Sequence, residues 1–594
     1  MIKQYILNQL GTALQNAAPH LNNLAVDDTL LAGFKLERPR NPEHGDYAVN
    51  VSFLARQTKM PPPKIAEAIG SHLSNVAVIG GYLNFTITES MLAEALAALI
   101  HSAKPGLNQS LQAERILLEY VSANPTGPLH VGHGRWAALG DSIVRILRHC
   151  GALVTAEFYI NDAGVQMGNI TTAVYWRAVE LLKAEGLLPD SLSLPEVLPY
   201  PGEYVIDVAS MYLADEVRKA QFIATHSDGQ AALENEALQN DLKVFSKKVL
   251  LENQQGLLNR MRVHFENWIS EKEYLYDRDL IPGTLQRLAG KGFTFEADDA
   301  LWFKSTEFGD EKDRVLRKSD GSYTYLTPDI AYHDDKFNRP ERYNRILNIW
   351  GADHHGYIPR MRGAIQALGH DPVQFEVLLG QLVNLIVEGE RTRMGKRRKM
   401  LTLQDVVDEV GVDATRFWMV SKSADSSLDF DVDLAASASS ENPVFYVQYA
   451  HARCCSILRN AVEPAPNVDT GEMVAPFVQA DALQQFEAGL KPEQLALLFD
   501  SLSEPREKAV LKTLLLHLDG FEDAVKDAAR LCAPHFITQY LLDVAAQFHS
   551  FYGICRILTP EPALTQARLM LVRAIQKILA QGLELLGVSA PEKM

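Results

Sequence analysis

The chain has 594 residues, of which 47% are hydrophobic and 22% charged, and its formal net charge is −17. A chain of this length exceeds one hydrophobic core, so about three or four domains are expected. The acidic balance argues against a general nucleic-acid binder, although it leaves room for local basic surfaces. No run approaches the roughly 18 apolar residues that span a bilayer. Gln4, Asn8 and Gln9 interrupt the N-terminal apolar pattern, unlike a signal peptide. We therefore expect a cytoplasmic protein without a membrane partner.

The cysteines include no Cys-x-x-Cys pair. Two of them, Cys454 and Cys455, are adjacent in a helical-looking segment, where packing is the more common role. We therefore expect neither a disulfide framework nor a zinc site. No tightly bound metal or organic cofactor is expected either.

Residues 1 to about 105 look like a small α+β unit. Tyr82–Thr88 (YLNFTIT) alternates apolar and polar residues, as a strand does. The Gly-, Pro- and Asn-containing stretch Lys104–Asn108 separates this unit from the next one. The first domain is therefore predicted to end near residue 105.

The second unit begins as a strand, a Pro/Gly-rich loop, a helix and a second strand. Ile116–Val121 (ILLEYV) is a nearly unbroken apolar run, typical of a buried parallel strand. Apolar residues recur at helical spacing from Trp136 onward, and Leu153–Ile160 is the next predicted strand. The loop between strand and helix, with the first helical residues, is Ala123, Asn124, Pro125, Thr126, Gly127, Pro128, Leu129, His130, Val131, Gly132 and His133.

This loop suits a phosphate group. Free backbone N–H groups and the helix dipole favour an anion at a helix N-terminus, and Gly132 lets a ligand approach the backbone closely. His130 and His133 can donate hydrogen bonds to phosphate oxygens. The less specific interpretation is that two histidines near a turn are only solvated or capping residues. The strand before them and the helix after them favour the phosphate site.

A helical, charged segment from residue 165 to about 262 is predicted to be inserted between the halves of an α/β sheet. The sheet resumes at Arg345–Trp350 (RILNIW), which runs into a polar loop beginning at Gly351. Phe375–Leu379 and Leu382–Val387 are predicted to add further strands.

Arg391–Lys399 has six basic residues in nine. Its simplest interpretation is a solvated charge run. From about residue 442 to the end, helical periodicity dominates, which predicts an α-helical bundle.

With His130-Val-Gly-His133 on a loop before a helix, the chain resembles the class I aminoacyl-tRNA synthetases. That class has a His-Ile-Gly-His signature in a Rossmann-type fold and a second signature, Lys-Met-Ser-Lys-Ser. Arg393-Met-Gly-Lys-Arg397 stands in the matching place. Arg393 and Gly395 depart from the second signature, whereas Lys396 keeps its second lysine.

The resemblance narrows to the arginyl-tRNA synthetases and covers essentially the whole chain. The segments that carry it are His44–Tyr47, Glu119–His130, Tyr159–Gly164, Leu428–Leu434, Asn442–Arg453 and Leu586–Met594. It implies a multidomain protein with a small α+β N-terminal domain (1–105) that contacts tRNA. It also implies an α/β Rossmann-type catalytic domain (106–441) with a helical insertion near 165–262. An all-α anticodon-binding domain (442–594) completes the expected fold.

The implied function is ATP-dependent attachment of L-arginine to its tRNA through an arginyl-adenylate. ATP would act with Mg²⁺ as co-substrate, and the family favours a monomer that needs bound tRNA before it activates arginine. The implied catalytic residues are His130, His133 and Lys396. The implied ATP contacts are His130, Gly132, His133, Gly351, Arg393, Met394 and Lys396. The implied arginine contacts are Glu119, Asn124, Tyr325, Asp329 and Asp353; Tyr325 and Asp329 are four apart and so are expected on one helix face. Glu271 is a weaker candidate.

Three alternative functions stay open. A small-molecule nucleotidyltransferase shares a similar histidine–glycine–histidine loop, but needs neither this length nor a second basic signature. A non-catalytic tRNA-binding relative would have degenerate signatures, whereas both histidines and Lys396 are retained. A synthetase for cysteine would lead one to expect zinc-ligand cysteines.

Overall fold

The structure is a computed structural model that describes residues 1–39, 41–189, 192, 194–227, 232–392, 402–466 and 473–594. Its N-terminal part packs helices on a four-stranded antiparallel sheet, which confirms a strand beginning at Tyr82. The sheet order is Leu36–Glu37, Tyr47–Asn50, Tyr82–Phe85 and Val76–Ile79. The helices are Ile2–Ala17, Asp28–Ala32, Ala55–Thr58, Pro62–Gly70 and Glu89–His101.

The second part is built on a five-stranded parallel sheet. From edge to edge its strands are Phe375–Gly380, Arg345–Gly351, Arg115–Glu119, Leu153–Ile160 and Asn267–Ser270. The strand predicted over Ile116–Val121 is confirmed, but it ends at Glu119. Val121 and Ser122 have φ of 70° and 41°, a left-handed conformation that ends the extended chain and starts the loop.

The helix after this loop, Val131–His149, packs directly on the end of the central strand. Tyr120 is fully buried there. A Cβ at Gly140 would lie 2.2 Å from Cδ2 of Tyr120, so the glycine is what permits this close approach.

The helical insertion is confirmed between the strands Leu153–Ile160 and Asn267–Ser270. Its helices are Val165–Ala184, Tyr204–Leu213, Glu216–Ser227 and Glu236–Arg260. They enclose a hydrophobic cluster of their own, which includes Met167, Phe222 and Leu242. The insertion is therefore a separately packed body attached to the sheet.

One expected strand belongs elsewhere. Val383–Val387 pairs with Glu390–Thr392 and Leu428–Asp431 in a second sheet, so its predicted place in the main sheet is wrong. Only two residues separate it from Phe375–Gly380, and a parallel neighbour needs a long crossover.

The second part also has a three-stranded sheet of Thr294–Ala297, Ala300–Phe303 and Arg314–Arg317. Its further helices are Leu280–Gly290, Leu326–Asn338, Ile358–Leu368, Leu403–Val410, Val412–Met419 and Val432–Ala436.

The C-terminal part is a helical bundle, as expected. Its helices are Pro443–Val462, Ala480–Ala488, Leu497–Asp500, Pro505–Asp519, Phe521–Leu531, His535–Ile554 and Pro562–Leu585, and the short strands Ala465–Pro466 and Met473–Val474 pair beside them. All five cysteines are buried free thiols. None of the helices in the described part of the chain combines the length and apolar character needed to cross a bilayer.

The end of the chain returns to the helix Val131–His149. The fully buried Arg416 forms an ion pair of 2.6 Å with Asp141 of that helix and donates to the carbonyl oxygen of Leu586 at 2.9 Å. Arg416 therefore links the C-terminal bundle to the helix that follows the histidine loop, because it pairs with Asp141 and donates to Leu586.

We expect Gly140→Ala to destabilise the protein by about 1–3 kcal/mol, because the added methyl group overlaps the buried ring of Tyr120. The measurement is the shift of the urea unfolding midpoint. Gly168→Ala is the matched control, since this helical glycine faces open space and alanine is the better helix former. Equal shifts for the two variants would contradict the proposed close packing.

Candidate active site

A cavity of about 310 Å³ opens at the carboxyl ends of the central parallel strands. This is where ligands bind in open α/β sheets. Among the sequence-predicted residues, Glu119, Asn124, His133, Asp329, Gly351 and Asp353 line it. The other lining residues are Val121, Ser122, Trp136, Tyr159, Asn161, Tyr332, His333, Asn348, Ile349, Trp350, His354 and Tyr357.

The two histidines at one side of this cavity cap the N-terminus of the helix Val131–His149 reciprocally. The backbone N–H of His133 donates to Nδ1 of His130 at 3.3 Å, and the backbone N–H of His130 donates to Nδ1 of His133 at 3.2 Å. Their rings stack with centroids 3.6 Å apart. Since each Nδ1 accepts a hydrogen bond, each neutral ring carries its proton on Nε2. The capping alternative and the phosphate site are thus compatible: Nδ1 caps, and Nε2–H stays a donor.

Burial keeps these imidazoles neutral. It lowers the pKa of His130, and together with the neighbouring His130 it lowers the pKa of His133 to about 3. Trp136 lies one turn beyond His133 in the helix and contacts both histidine rings edge-on. Its ring centroid is 6.2 Å from that of His130 and 5.6 Å from that of His133. The pair therefore offers two neutral hydrogen-bond donors rather than positive charge. Gly132 lies between them, and a Cβ there would lie 2.9 Å from Cε1 of His130.

Glu119, at the end of the central strand, already has a cationic partner. Its Oε2 accepts from the fully buried Nζ of Lys336 at 2.5 Å and from Nδ2 of Asn348 at 2.9 Å. Its Oε1 accepts from Oγ of Ser122 at 2.8 Å. The charge of Glu119 is therefore matched within the protein, and its carboxylate also shapes the turn after the strand.

Asp329 and Glu271 are different, because neither forms an ion pair among the described residues. Oη of Tyr357 donates to Oδ2 of Asp329 at 2.7 Å. Burial, reinforced by the Glu119 charge, raises the pKa of Asp329 to about 6. Burial, reinforced by Asp329, raises the pKa of Glu271 to about 7. Glu271 is buried and Asp329 is half-buried, and two such neighbouring carboxyl groups without an ion-pair partner among the described residues are suited to a cationic ligand.

The remaining predicted residues near the cavity are more exposed. Nδ2 of Asn124 donates to Oε1 of Gln166 in the insertion at 2.5 Å. The carboxylate of Asp353 is largely exposed and lies 3.6 Å from Nε2 of His354. A Cβ at Gly351 would lie 2.5 Å from Oδ1 of Asp353, so the glycine makes room for that carboxylate.

Tyr325 is not brought into the cavity with Asp329. It occupies the N-cap position of the helix Leu326–Asn338 without a capping side-chain hydrogen bond, and the residue is 70% exposed. Helical spacing alone placed both on one face, but that spacing does not say which end of the helix reaches the cavity.

Arg393, Met394 and Lys396 lie outside the described residues. The chain after them returns to the histidine loop: Thr402 forms a β-bridge with His130, and the N–H of Leu403 donates to the carbonyl oxygen of Leu129 at 2.9 Å.

Several residues of the site were not predicted from the sequence. Lys336, His333 and Asn348 form one network with Glu119, in which Nδ2 of Asn348 donates to Nε2 of His333 at 3.2 Å. Two of these residues could have been noticed in the sequence. Asn348 is a polar residue within an apolar strand, and Lys336 is a charged residue at a helix position that is fully buried in the structure. Tyr357 had no comparable signal, because its role follows from where the helix Ile358–Leu368 begins.

The fold and site define a class I aminoacyl-tRNA synthetase, and comparison with known families agrees. The model described as "tRNA synthetases class I (R), catalytic domain" matches residues 95–431. The models "Arginyl tRNA synthetase N terminal domain" and "DALR anticodon binding domain" match residues 4–87 and 447–594.

Proteins of similar sequence indicate which amino acid the enzyme uses. The arginine–tRNA ligase of Bacillus subtilis is 40% identical over 96% of both chains. Arginine–tRNA ligase 1 of Halalkalibacterium halodurans is 39% identical over 100% of this chain and 99% of its own. The fold is that of the Thermus thermophilus arginyl-tRNA synthetase structure, with a TM-score of 0.69, 24% identity and full coverage of both chains. The chain belongs to the arginyl-tRNA synthetase family, whose members use ATP to attach arginine to tRNA.

We expect the KM for arginine to rise about tenfold as the pH falls from 8 to 6. The guanidinium stays charged, so it prefers ionised carboxylates, and both Glu271 and Asp329 take up protons over this range. Aminoacylation kinetics at saturating ATP and tRNA measure the effect.

Asp329→Asn is the matched variant. Its arginine KM should be higher at pH 8 and should change less on acidification, because one titrating carboxyl group is gone. An arginine KM that stays constant from pH 8 to 6 in the unaltered enzyme would contradict this assignment.

Proposed function

We propose that arginine and ATP meet in the 310 Å³ cavity, where the arginine carboxylate attacks the α-phosphorus of ATP. The new P–O bond gives arginyl-adenylate, and pyrophosphate leaves with the electrons of the broken P–O bond. The terminal ribose hydroxyl of the tRNA then attacks the adenylate carbonyl and releases AMP. The observation that carries this proposal is that His133 and Asp329 line one cavity, which brings a neutral Nε2–H donor together with a carboxyl group that has no ion-pair partner among the described residues.

The ATP end of the site is proposed to comprise His130, Gly132, His133 and Gly351. The Nε2–H groups would donate to phosphate oxygens, and the start of the helix Val131–His149 favours the same anion. Mg²⁺ is proposed to arrive with the phosphates of ATP, as is usual for this ion. The two steps require no redox group or other organic cofactor.

The arginine end is proposed to comprise Asp329 and Glu271 around the guanidinium and Asn124 at the amino-acid end, with Asp353 beyond them. Glu119 would act mainly through the loop, because Lys336 already neutralises it. Tyr325 stays a proposal from the family resemblance; if it contacts arginine, its exposed side chain must turn inward when arginine binds.

Catalysis is proposed to depend on positioning and charge stabilisation rather than on a covalent enzyme nucleophile. Lys396 would stabilise the leaving pyrophosphate, with Arg393 and Met394 beside the nucleotide. On the same resemblance we propose a cytoplasmic monomer with domains over 1–105, 106–441 and 442–594 and the insertion near 165–262.

An aromatic cluster on the C-terminal bundle is proposed to bind unstacked tRNA bases. Its members are Phe445, Tyr446, Tyr449, Arg453, His549 and Tyr552. The rings of Phe445 and Tyr449 are parallel at 6.1 Å, and the guanidinium of Arg453 lies 4.3 Å from the ring of Tyr552. Tyr449 is exposed and the other members are half-buried. Accessible aromatic rings with arginine are the usual platform for single-stranded bases.

We expect Lys396→Ala to slow ATP–pyrophosphate exchange about a hundredfold, measured with arginine and its tRNA present, because a charge contact to the leaving group is lost. The KM for arginine should stay nearly constant. Normal exchange in this variant would remove Lys396 from the mechanism. Exchange with an amino acid other than arginine would contradict the proposed site.

We expect Tyr449→Ala to raise the KM for tRNA about tenfold, since stacking on an aromatic side chain contributes about 1–3 kcal/mol per base. Aminoacylation at varied tRNA concentration measures it. The matched control is Phe536→Ala, which removes an exposed aromatic side chain about 20 Å along the same helix as His549. Similar effects of both variants would contradict a base platform at Tyr449.

A further inference from the structure

The long helix Glu236–Arg260 leads from the helical insertion back to the catalytic sheet. Leu250 of this helix packs in the hydrophobic cluster of the insertion, whereas Leu257 and Leu258 pack in the main core. The helix therefore passes from one core into the other. The residues between Leu250 and Leu257 therefore lie where the insertion meets the main core.

Gln254 lies at that point, and it is 1% exposed. Its spacing from Leu250 and Leu258 places it on the same buried face of the helix. An apolar side chain would continue the stripe, but Nε2 of Gln254 instead donates to two carbonyl oxygens of the signature loop. The carbonyl oxygens of Asn124 and Gly127 each lie 2.9 Å from Nε2 of Gln254.

Two more contacts join the insertion to the same loop. Oη of Tyr204 donates to the carbonyl oxygen of Thr126 at 2.9 Å, and a Cβ at Gly127 would lie 3.0 Å from that hydroxyl. Gln166 accepts from the side chain of Asn124. The insertion thus holds three of the four residues Asn124–Gly127 by hydrogen bonds.

The ATP end of the loop is held differently. His130 and His133 cap each other, and Trp136 packs against both rings from within the same helix. Loss of the insertion contacts would therefore loosen the beginning of the loop while leaving its end in place.

We propose that Gln254 and Tyr204 are positioning residues through which the helical insertion sets the arginine end of the active site. This rests on the proposed contact between Asn124 and arginine. An insertion held in this way can change arginine binding without touching the ATP end.

The test uses Gln254→Met, which keeps the length and burial of the side chain but removes the donor, and Tyr204→Phe, which removes only the hydroxyl. Tyr212→Phe is the matched control, because its hydroxyl donates to Asp241 within the insertion at 2.8 Å and is remote from the loop. We expect the arginine KM to rise about tenfold in Gln254→Met and about threefold in Tyr204→Phe, the effect of losing buried hydrogen bonds. The ATP KM should change less than about twofold, and Tyr212→Phe should alter neither value.

Hydrogen exchange of the free enzyme supplies a readout that does not depend on arginine. The amides of Ala123, Asn124, Thr126 and Gly127 should exchange faster in Gln254→Met than in Tyr212→Phe, while those of residues 134–145 should not. Unchanged loop exchange, or equal rises in the KM for arginine and ATP, would overturn the proposal. Tyr204→Phe keeps the test open if Gln254→Met fails to fold.

Asp329→Asn separates this proposal from the arginine site on which it rests. That variant should raise the arginine KM without altering loop exchange. An unaltered arginine KM in Asp329→Asn would contradict the arginine site itself. Faster loop exchange in Gln254→Met with an unaltered arginine KM would contradict only the positioning role.

Discussion

The geometry of the active site depends on where the central strand Arg115–Glu119 ends. Parallel strands place their carboxyl ends at one edge, so polar residues that follow different strands converge there. The left-handed conformation at Val121 and Ser122 turns the chain away from the sheet. The loop that follows then crosses the cavity and enters the helix at His130. A longer strand would carry the loop beyond the cavity.

Charge is distributed unevenly around this edge. Lys336 neutralises Glu119, and Arg416 neutralises Asp141, which lies in the helix Val131–His149. A buried charge of either kind is costly unless it is paired. Asp329 and Glu271 have no such partner among the described residues, and their raised pKa values record that cost. The guanidinium of arginine is a cation that cannot be deprotonated, so it would complete the pairing on binding. Glu119 and Asp141 are thus paired within the protein, whereas Asp329 and Glu271 have no ion-pair partner in the described part of the chain.

Much of this was readable from the chain. The apolar run at Ile116 and the loop to His133 predicted a strand, a loop and a helix, because these follow from local chemistry. The helical insertion and the C-terminal bundle followed from periodicity. The place of Val383–Val387 did not, since strand pairing depends on partners distant in sequence, such as Leu428–Asp431. Nor could spacing reveal that Tyr325 is exposed and does not line the cavity that Asp329 lines.

The sequence by itself determined the kind of chemistry: two histidines at a helix start, a basic second signature and carboxylates suited to a guanidinium. These features are local, so their spacing carries them. Only the tertiary structure decided which carboxylate is already paired, that each histidine caps the other while keeping Nε2–H as a donor, and that Gln254 holds the loop from a separately packed insertion. The pairing of Glu119 with Lys336 and the contact of Gln254 with the loop join residues more than a hundred positions apart, which no local pattern encodes. The mutual capping of His130 and His133 is local, but it depends on side-chain orientations that their spacing does not specify.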